Sequence, residues 1–318
     1  MSDHAPSQPA PVIDVAVGIM IRPDGKALMA ERPAGKPSAG CWEFPGGKFE
    51  PGENPVQALV RELHEELGVE VATAWPWITR KHVYPYATVR LHIYRILHWH
   101  GEPHGREGQH LAWVNPDAPD VTPLLSANHS IMQALALPPL YAITHATHHG
   151  TRPFMPRFEA ALANGVRLVQ IRERDMPGSA LEAFARDATD RAHAVGARVL
   201  INSDERLCRA VGADGVHLPA ARVMQLRARP QTGLCAASCH NREELVKAAA
   251  LDVDFAVLSP VLPTRSHPGA PTLGWEGFAH LCADLPMPVY ALGGMQVGML
   301  DTAMAHNAHG VALLSGIW

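Results

Sequence analysis

The chain has little of what marks several common classes of protein. Its 318 residues include only five cysteines, Cys41, Cys208, Cys235, Cys239 and Cys282, an odd number without metal or redox spacing. That argues against a disulfide framework and against a paired-thiol site. Cys235 and Cys239 fall in an apolar segment and are expected in a core. No apolar run is long enough to span a bilayer, so no membrane partner is expected. Residues 1–11 are rich in Pro, Ala and Ser and lack the apolar centre of a signal peptide; they read as a disordered tail, and the protein as cytoplasmic. Positive charge is also short, with 27 Lys and Arg against 31 Asp and Glu, a net charge of −4 and no basic block. Duplex nucleic acid is therefore not an expected partner.

What is present points to two domains. The length suits two, and 47% apolar residues can fill two cores. The N-terminal half is organised around Gly47 to Val69, GKFEPGENPVQALVRELHEELGV. A Gly/Pro turn leads into a helix expected from Asn54 to Leu67, with Asn54 as N-cap, Pro55 at the first helical position and Gly68 ending it. An apolar stripe runs along Val56, Leu59, Val60, Leu63 and Leu67. Glu62, Glu65 and Glu66 stand together on the other face at spacings of three and four. Like charges there repel, and a hard divalent cation that prefers oxygen ligands removes the conflict. The turn beside them offers backbone groups to a diphosphate.

Spelled as Gly-x5-Glu-x7-Arg-Glu-Leu-x-Glu-Glu-x-Gly-Val, this stretch resembles the Nudix box at Gly47, Glu53, Arg61, Glu62, Glu65, Glu66 and Gly68. Around it, Val12–Ile21 and Ala27–Glu31 read as a β-hairpin, with strands near Val69–Trp77, Arg80–Tyr84, Thr88–Trp99 and Leu111–Val114, and a helix near 127–137 capped by Ser126 or Asn128. The resemblance implies an α/β/α sandwich over 12–137. Within the family the chain looks most like the MutT type, which hydrolyses 8-oxo-dGTP to the monophosphate and pyrophosphate and so sanitises the nucleotide pool.

That resemblance implies Mg²⁺ as cofactor, with Mn²⁺ as substitute, and a small-molecule nucleotide as substrate. It places Gly46, Glu62, Glu65, Glu66 and Glu107 at the metal. It makes Glu62 the base that orients or deprotonates water, with Arg61 positioning a neighbouring carboxylate and Glu53 supporting the loop–helix fold. The division of base and ligand roles among Glu62, Glu65 and Glu66 stays open. The substrate would meet Arg32, the segment Glu43, Phe44, Pro45, Gly46 and Gly47, and Asn128, whose amide can both accept from and donate to a purine edge. His129 replaces an acidic residue beside that asparagine, and Pro37 a loop histidine; both bear on base selectivity rather than hydrolysis.

After Pro138-Pro139, eight near-continuous apolar runs alternate with helical stretches through 140–318. That pattern reads as a (β/α)₈ barrel of the TIM type lacking its last helix. The flank so exposed is left to the N-terminal domain or to a second copy in a homodimer. YAIT, VQIRER, LINSD, GADGVHL, SCH, LSPVLPT, ALGG and GVALLSG together resemble the thiamine phosphate synthase and thiazole tautomerase family. Residue by residue, Gln170, Arg172 and Asn202 match contacts to a pyrimidine diphosphate, with Arg174 in place of a lysine. His217 lies at a strand end, His240 matches a tautomerase histidine, and Gly293, Gly294 and Ser315 suggest a phosphate cradle. The family's metal-binding aspartates are replaced: Ser203 stands at one, and Pro-Ala-Ala-Arg follows His217-Leu218. The expected lysine after the sixth strand is His267. His145, His148 and His149 read as a polar loop after a strand, with a metal site as the alternative.

The resulting expectation is a Mg²⁺-dependent 8-oxo-dGTP pyrophosphohydrolase with an accessory barrel that is not an active synthase. Two alternatives compete with it. One is a thiamine-salvage enzyme hydrolysing a thiamine or pyrimidine diphosphate. The other is a hydrolase regulated by a barrel that senses a phosphorylated thiazole or pyrimidine ligand.

Overall fold

The computed structural model describes residues 12–85, 87–264, 269 and 271–318. The tail 1–11 and His267 lie outside the described residues. The chain forms two compact units, 1–133 and 134–318.

In the first unit, β1 (Val12–Met20), β2 (Ala27–Glu31), β3 (Trp42–Glu43) and β4 (Gly46–Lys48) precede α1 (Pro55–Leu67). Then come β5 (Glu70–Tyr84), β6 (Ala87–His100), β7 (Leu111–Val114) and α2 (Ser126–Leu135). One mixed sheet has the order β4-β1-β6-β5, with β1 and β6 parallel; a second has the order β3-β2-β7. The expected β1–β2 hairpin is corrected: apart from a single Ile21–Ala27 bridge, the two strands enter different sheets. The two strand segments expected over residues 69–84 are one strand, β5, whose register shifts against β6 near Thr73 and Pro76. Each shift inserts a residue and bends the strand, which interrupted the alternation in sequence.

The signals for α1 hold. The Asn54 side chain accepts from Val56 N and Gln57 N, the Gln57 side chain answers to the Asn54 amide, and Gly68 closes the helix in the left-handed region at φ 70°. The apolar stripe is narrower than its periodicity suggested. Ala58, Leu59, Leu63 and Leu67 are buried against Ala16, Met20 and Ile96, whereas Val56 and Val60 are exposed. Each fully buried leucine contributes about 1.5–3 kcal/mol. That seats α1 on the sheet and turns its acidic face toward β4.

In the second unit, β8 (Leu140–Ile143), β9 (Leu168–Ile171), β10 (Arg198–Asn202), β11 (Gly215–Leu218), β12 (Leu234–Cys239), β13 (Phe255–Leu258), β14 (Val289–Ala291) and β15 (Gly310–Leu313) close into a parallel eight-stranded barrel. The connecting helices are α3 (Ala146–His149), α4 (Thr151–Ala163), α5 (Gly178–His193), α6 (Glu205–Val211), α7 (Ala220–Gln225), α8 (Arg242–Ala250), α9 (Gly274–Cys282) and α10 (Leu300–Ala305). The strands are buried on both faces, which explains their near-continuous hydrophobicity. Tyr141, Leu168, Leu200, Phe255 and Tyr290 fill the interior, while Val169, Val199, Val216 and Cys235 face the helices. No described helix follows β15. Trp318 partly fills that flank: its indole N–H donates to Ile143 O at 2.8 Å and its ring stacks on Phe158 at 5.9 Å. Part of the surface expected to await a second subunit is thus covered by the chain itself.

Candidate active site

The loop before α1 is locked to the helix by one arginine. Arg61 donates through Nε and Nη2 to the two Glu53 oxygens (2.7 and 2.9 Å), through Nη2 to Lys48 O (3.0 Å), and through Nη1 to Glu62 (2.9 Å) and Glu65 (3.2 Å). The planar guanidinium suits this many oxygens at once. Glu53, which also accepts from Glu50 N, is held down to about 2, chiefly by its bonds from Arg61. Glu53 and Arg61 are thus bonded across the loop–helix junction, and Arg61 also holds the carboxylate of Glu62.

Two glycines let β4 approach that carboxylate. Gly46 adopts φ 143°, and a Cβ there would lie 2.1 Å from Ala16 O. A Cβ on Gly47 would lie 2.2 Å from the Glu62 carboxyl carbon. Gly46 N donates to Glu66 at 3.2 Å. Burial pushes the Glu66 carboxyl up to about 7, with the nearby charges of Glu62 and Glu43 acting in the same direction. Glu43 is itself raised by burial, partly offset by Arg32, whose guanidinium reaches both of its oxygens. Arg32 also donates to Pro37 O at 2.7 Å. Phe44 is buried, and Pro45 O accepts from Gly18 N at 2.9 Å, so this segment is set by backbone pairing to β1.

The distant glutamate arrives on the loop after β6. Gln109 pins that loop, donating to Glu66 O at 3.1 Å while its carbonyl accepts from Glu107 N at 2.8 Å. Glu107 pairs with Lys36 Nζ at 2.6 Å. Neither Gln109 nor Lys36 was singled out by the sequence. The available signal was a buried amide in a polar loop and a lone charge in PAGKPSAG.

Glu62, Glu66, Gly46 and Gly47 are brought together, while Glu65 is mostly exposed and Glu107 is turned to Lys36. Among the described residues no three acidic, His or Cys side chains already converge as a metal cage. The donors nevertheless fit a hard divalent cation, being carboxylates and one carbonyl. The crowding of like charge around half-buried Glu66 is the condition such a cation relieves.

Asn128 lies in the first turn of α2 and is 5% exposed. It does not cap the helix; its amide N–H donates to Leu125 O, and its side chain has no hydrogen-bond partner among the described residues. The Ser126 hydroxyl hydrogen-bonds His82 at 3.0 Å.

In the barrel, the strand ends carry a buried polar chain. Tyr141 Oη hydrogen-bonds His217 Nδ1 (3.0 Å), and His217 Nε2 hydrogen-bonds Ser238 Oγ (2.7 Å). Burial, then the charge of Arg172, holds His217 down to about 3. Gln170 donates to Asn202 at 3.2 Å. Arg172 is lowered by burial and by the charge of Arg174, and among the described residues no carboxylate is bonded to either side chain. Buried Glu173 is occupied instead by Ala146 N and Thr147 N. Gly293 and Gly294 take left-handed φ of 99° and 70°, and Ser315 is exposed. His240 is exposed and pairs with Glu244 at 3.0 Å, outside the Tyr141–His217–Ser238 chain. Ser203 adopts φ 65° at the end of β10, and Arg222 pairs with Glu205 at 2.5 Å. His145 stacks on His148 at 5.0 Å, and no metal cluster occurs there among the described residues.

Comparison with known proteins follows the same division. The family model described as NUDIX domain matches residues 16–134, and that described as thiamine monophosphate synthase matches 140–317. The CTP pyrophosphohydrolase of Escherichia coli K12 is 39% identical over 123 residues, which are 39% of this chain and 90% of that protein. The 8-oxo-dGTP diphosphatase of Haemophilus influenzae is 38% identical over 124 residues, 39% of this chain and 91% of that one. A Geobacter sulfurreducens protein named provisionally as a thiamine-phosphate synthase is 39% identical over 183 residues, 56% of this chain and 85% of its own. The chain belongs to the Nudix hydrolases through its N-terminal unit, and to the thiamine monophosphate synthase family through its C-terminal barrel.

Proposed function

We propose that the N-terminal unit hydrolyses 8-oxo-dGTP to 8-oxo-dGMP and pyrophosphate with Mg²⁺ or Mn²⁺, removing an oxidised precursor of DNA from the nucleotide pool. The observation that carries the choice of base is Asn128, 5% exposed as a residue and without a side-chain hydrogen bond among the described residues. Its carboxamide is left free to bond a ligand, and a purine edge that both donates and accepts matches it. Glu62, fixed by Arg61 and lying against Gly47, accepts the proton of the attacking water. Water oxygen bonds to phosphorus as one bridging P–O bond breaks, and pyrophosphate carries away the released charge. Glu62, Glu65, Glu66, the Gly46 carbonyl and Glu107 would hold the divalent cation, which would supply charge stabilisation for the phosphate oxygens. Glu53 and Arg61 hold the loop while Arg32 and Glu43 frame the base end.

The test is kcat/KM on 8-oxo-dGTP, dGTP, CTP and a thiamine-type diphosphate, with Glu62→Gln as control. A preference for 8-oxo-dGTP, lost in the control, is expected. CTP as the preferred substrate would align the chain with its E. coli relative and overturn the base assignment. Preference for the thiamine-type diphosphate would favour a salvage enzyme.

For the barrel, the paired cations Arg172 and Arg174 support binding of a phosphorylated thiazole or pyrimidine. Ser203 and Arg222, where the family carries metal-binding aspartates, argue against synthase turnover. Calorimetry with a thiazole phosphate should show binding. Formation of thiamine phosphate from a pyrimidine diphosphate and a thiazole phosphate would refute the non-synthase reading.

A further inference from the structure

The loop between β2 and β3 carries one cation at its tip. Its residues 34–39, AGKPSA, are exposed, and its turns use Gly35 at φ 92°, Ser38 at φ 60° and Gly40 at φ 80°. Lys36 reaches from this tip to Glu107, 71 residues away in sequence, with Nζ 2.6 Å from Oε2. Both side chains are close to half exposed, at 44% and 45%. Its charge also acts on the carboxyls of Glu66 and Glu43, lowering both. Lys36 is thus bonded to one acidic group, on the loop after β6, and its charge reaches two more, on β3 and α1. The base of the loop is tied to the same site, because Arg32 donates both to Pro37 O, the residue after Lys36, and to Glu43.

This placement has two consequences. A divalent cation that takes Glu107 as ligand competes with Lys36 for that carboxylate, whose Oε2 the ammonium already holds at 2.6 Å. The released ammonium remains on a loop that Arg32 holds at Pro37 O, next to the carboxylates to which an anionic substrate and its metal would come. Lysine suits such an exchange, being a compact charge on a flexible stem with three donors. We propose that Lys36 is a substrate-contacting residue of the hydrolase, paired with Glu107 in the free protein and transferred to a terminal phosphate oxygen when metal and nucleotide bind. This rests on the reading of the N-terminal unit as a metal-dependent nucleotide hydrolase, and not on which base it prefers.

The experiment uses the full chain and Lys36→Gln, with Lys36→Arg as the charge-conserving control. Mn²⁺ binding to each protein without nucleotide is measured from the paramagnetic resonance of free Mn²⁺. Removing a half-exposed competing ion pair should tighten Mn²⁺ binding about 2- to 5-fold in Lys36→Gln. Loss of a charged phosphate contact should raise its KM about 10-fold, with kcat little changed. Lys36→Arg should restore both. Unchanged or weaker Mn²⁺ binding, or an unchanged KM, overturns the proposal. A wild-type protein that binds Mn²⁺ but turns over another nucleotide better than 8-oxo-dGTP refutes the base assignment alone, and KM is then read on that nucleotide.

Discussion

Gly47→Ala isolates the position of one carboxylate. Gly47 pairs with Ala16 across β4 and β1 and lacks the left-handed backbone of Gly46. Alanine is therefore unstrained there, and only the space beyond Cα matters. The new Cβ would lie 2.2 Å from the Glu62 carboxyl carbon and 2.2–2.3 Å from its oxygens. Relief to ordinary contact needs a shift of about 1 Å, and a misplacement of that size costs about 100-fold in rate. Because the obstructing atoms are the end of a side chain, Glu62 moves and the strand pairing stays. Expected is a fall in kcat of about 10²- to 10³-fold, with a melting temperature within a few degrees of wild type. Gly46→Ala makes the contrast: its Cβ meets the carbonyl of Ala16 at 2.1 Å, with backbone on both sides. That variant should lose folded protein rather than only rate. Single-turnover hydrolysis and thermal melts on both variants decide the matter. Gly47→Ala that melts normally and keeps activity within threefold of wild type would refute the placement of the reacting proton at Glu62.

Three further outcomes follow from the structure. Asn128→Ala should cut the preference for 8-oxo-dGTP over dGTP by at least about 10-fold while sparing kcat on dGTP, measured by competition kinetics. Buried His217 has a folded value near 3 against 6.5 unfolded, so the unfolded chain takes up a proton first as pH falls. Stability should therefore decline from about pH 6.5 toward pH 3, by up to about 1.4 kcal/mol per pH unit, and urea unfolding of His217→Asn should show a shallower decline. Trp318→Ala removes the hydrogen bond to Ile143 O and the packing on Phe154 and Phe158. It should destabilise the barrel by about 2–3 kcal/mol in denaturant melts, with Nudix activity unaltered.

Much of the N-terminal chemistry was legible because it is local. Glu62, Glu65 and Glu66 share a helix face through spacing alone, and the Asn54, Pro55 and Gly68 signals delimit that helix wherever it is packed. The barrel was legible for a related reason, since strands buried on both faces cannot hide their hydrophobicity. Side-chain partners across the fold were not legible. Val56 and Val60 fit the helical period of the apolar stripe yet lie exposed, because the sheet covers only the narrower face through Leu59 and Leu63. The β1–β2 hairpin failed for a similar reason: the turn Pro23-Asp24-Gly25 reverses the chain, but only long-range pairing chooses the sheet that each strand joins.

The sequence by itself determined the grouping of Glu62, Glu65 and Glu66 on one helix, the cap and length of α1, and the eightfold alternation of the barrel, all properties of neighbours within a few residues. The tertiary structure alone decided which side chains meet. It put Lys36 on Glu107, Gln109 against the end of α1, the Glu62 carboxyl on the bare backbone of Gly47, and Asn128 in the first turn of α2 without a side-chain partner among the described residues. Those meetings join residues tens of positions apart, and their energies depend on distance and burial, which exist only once the chain has closed on itself.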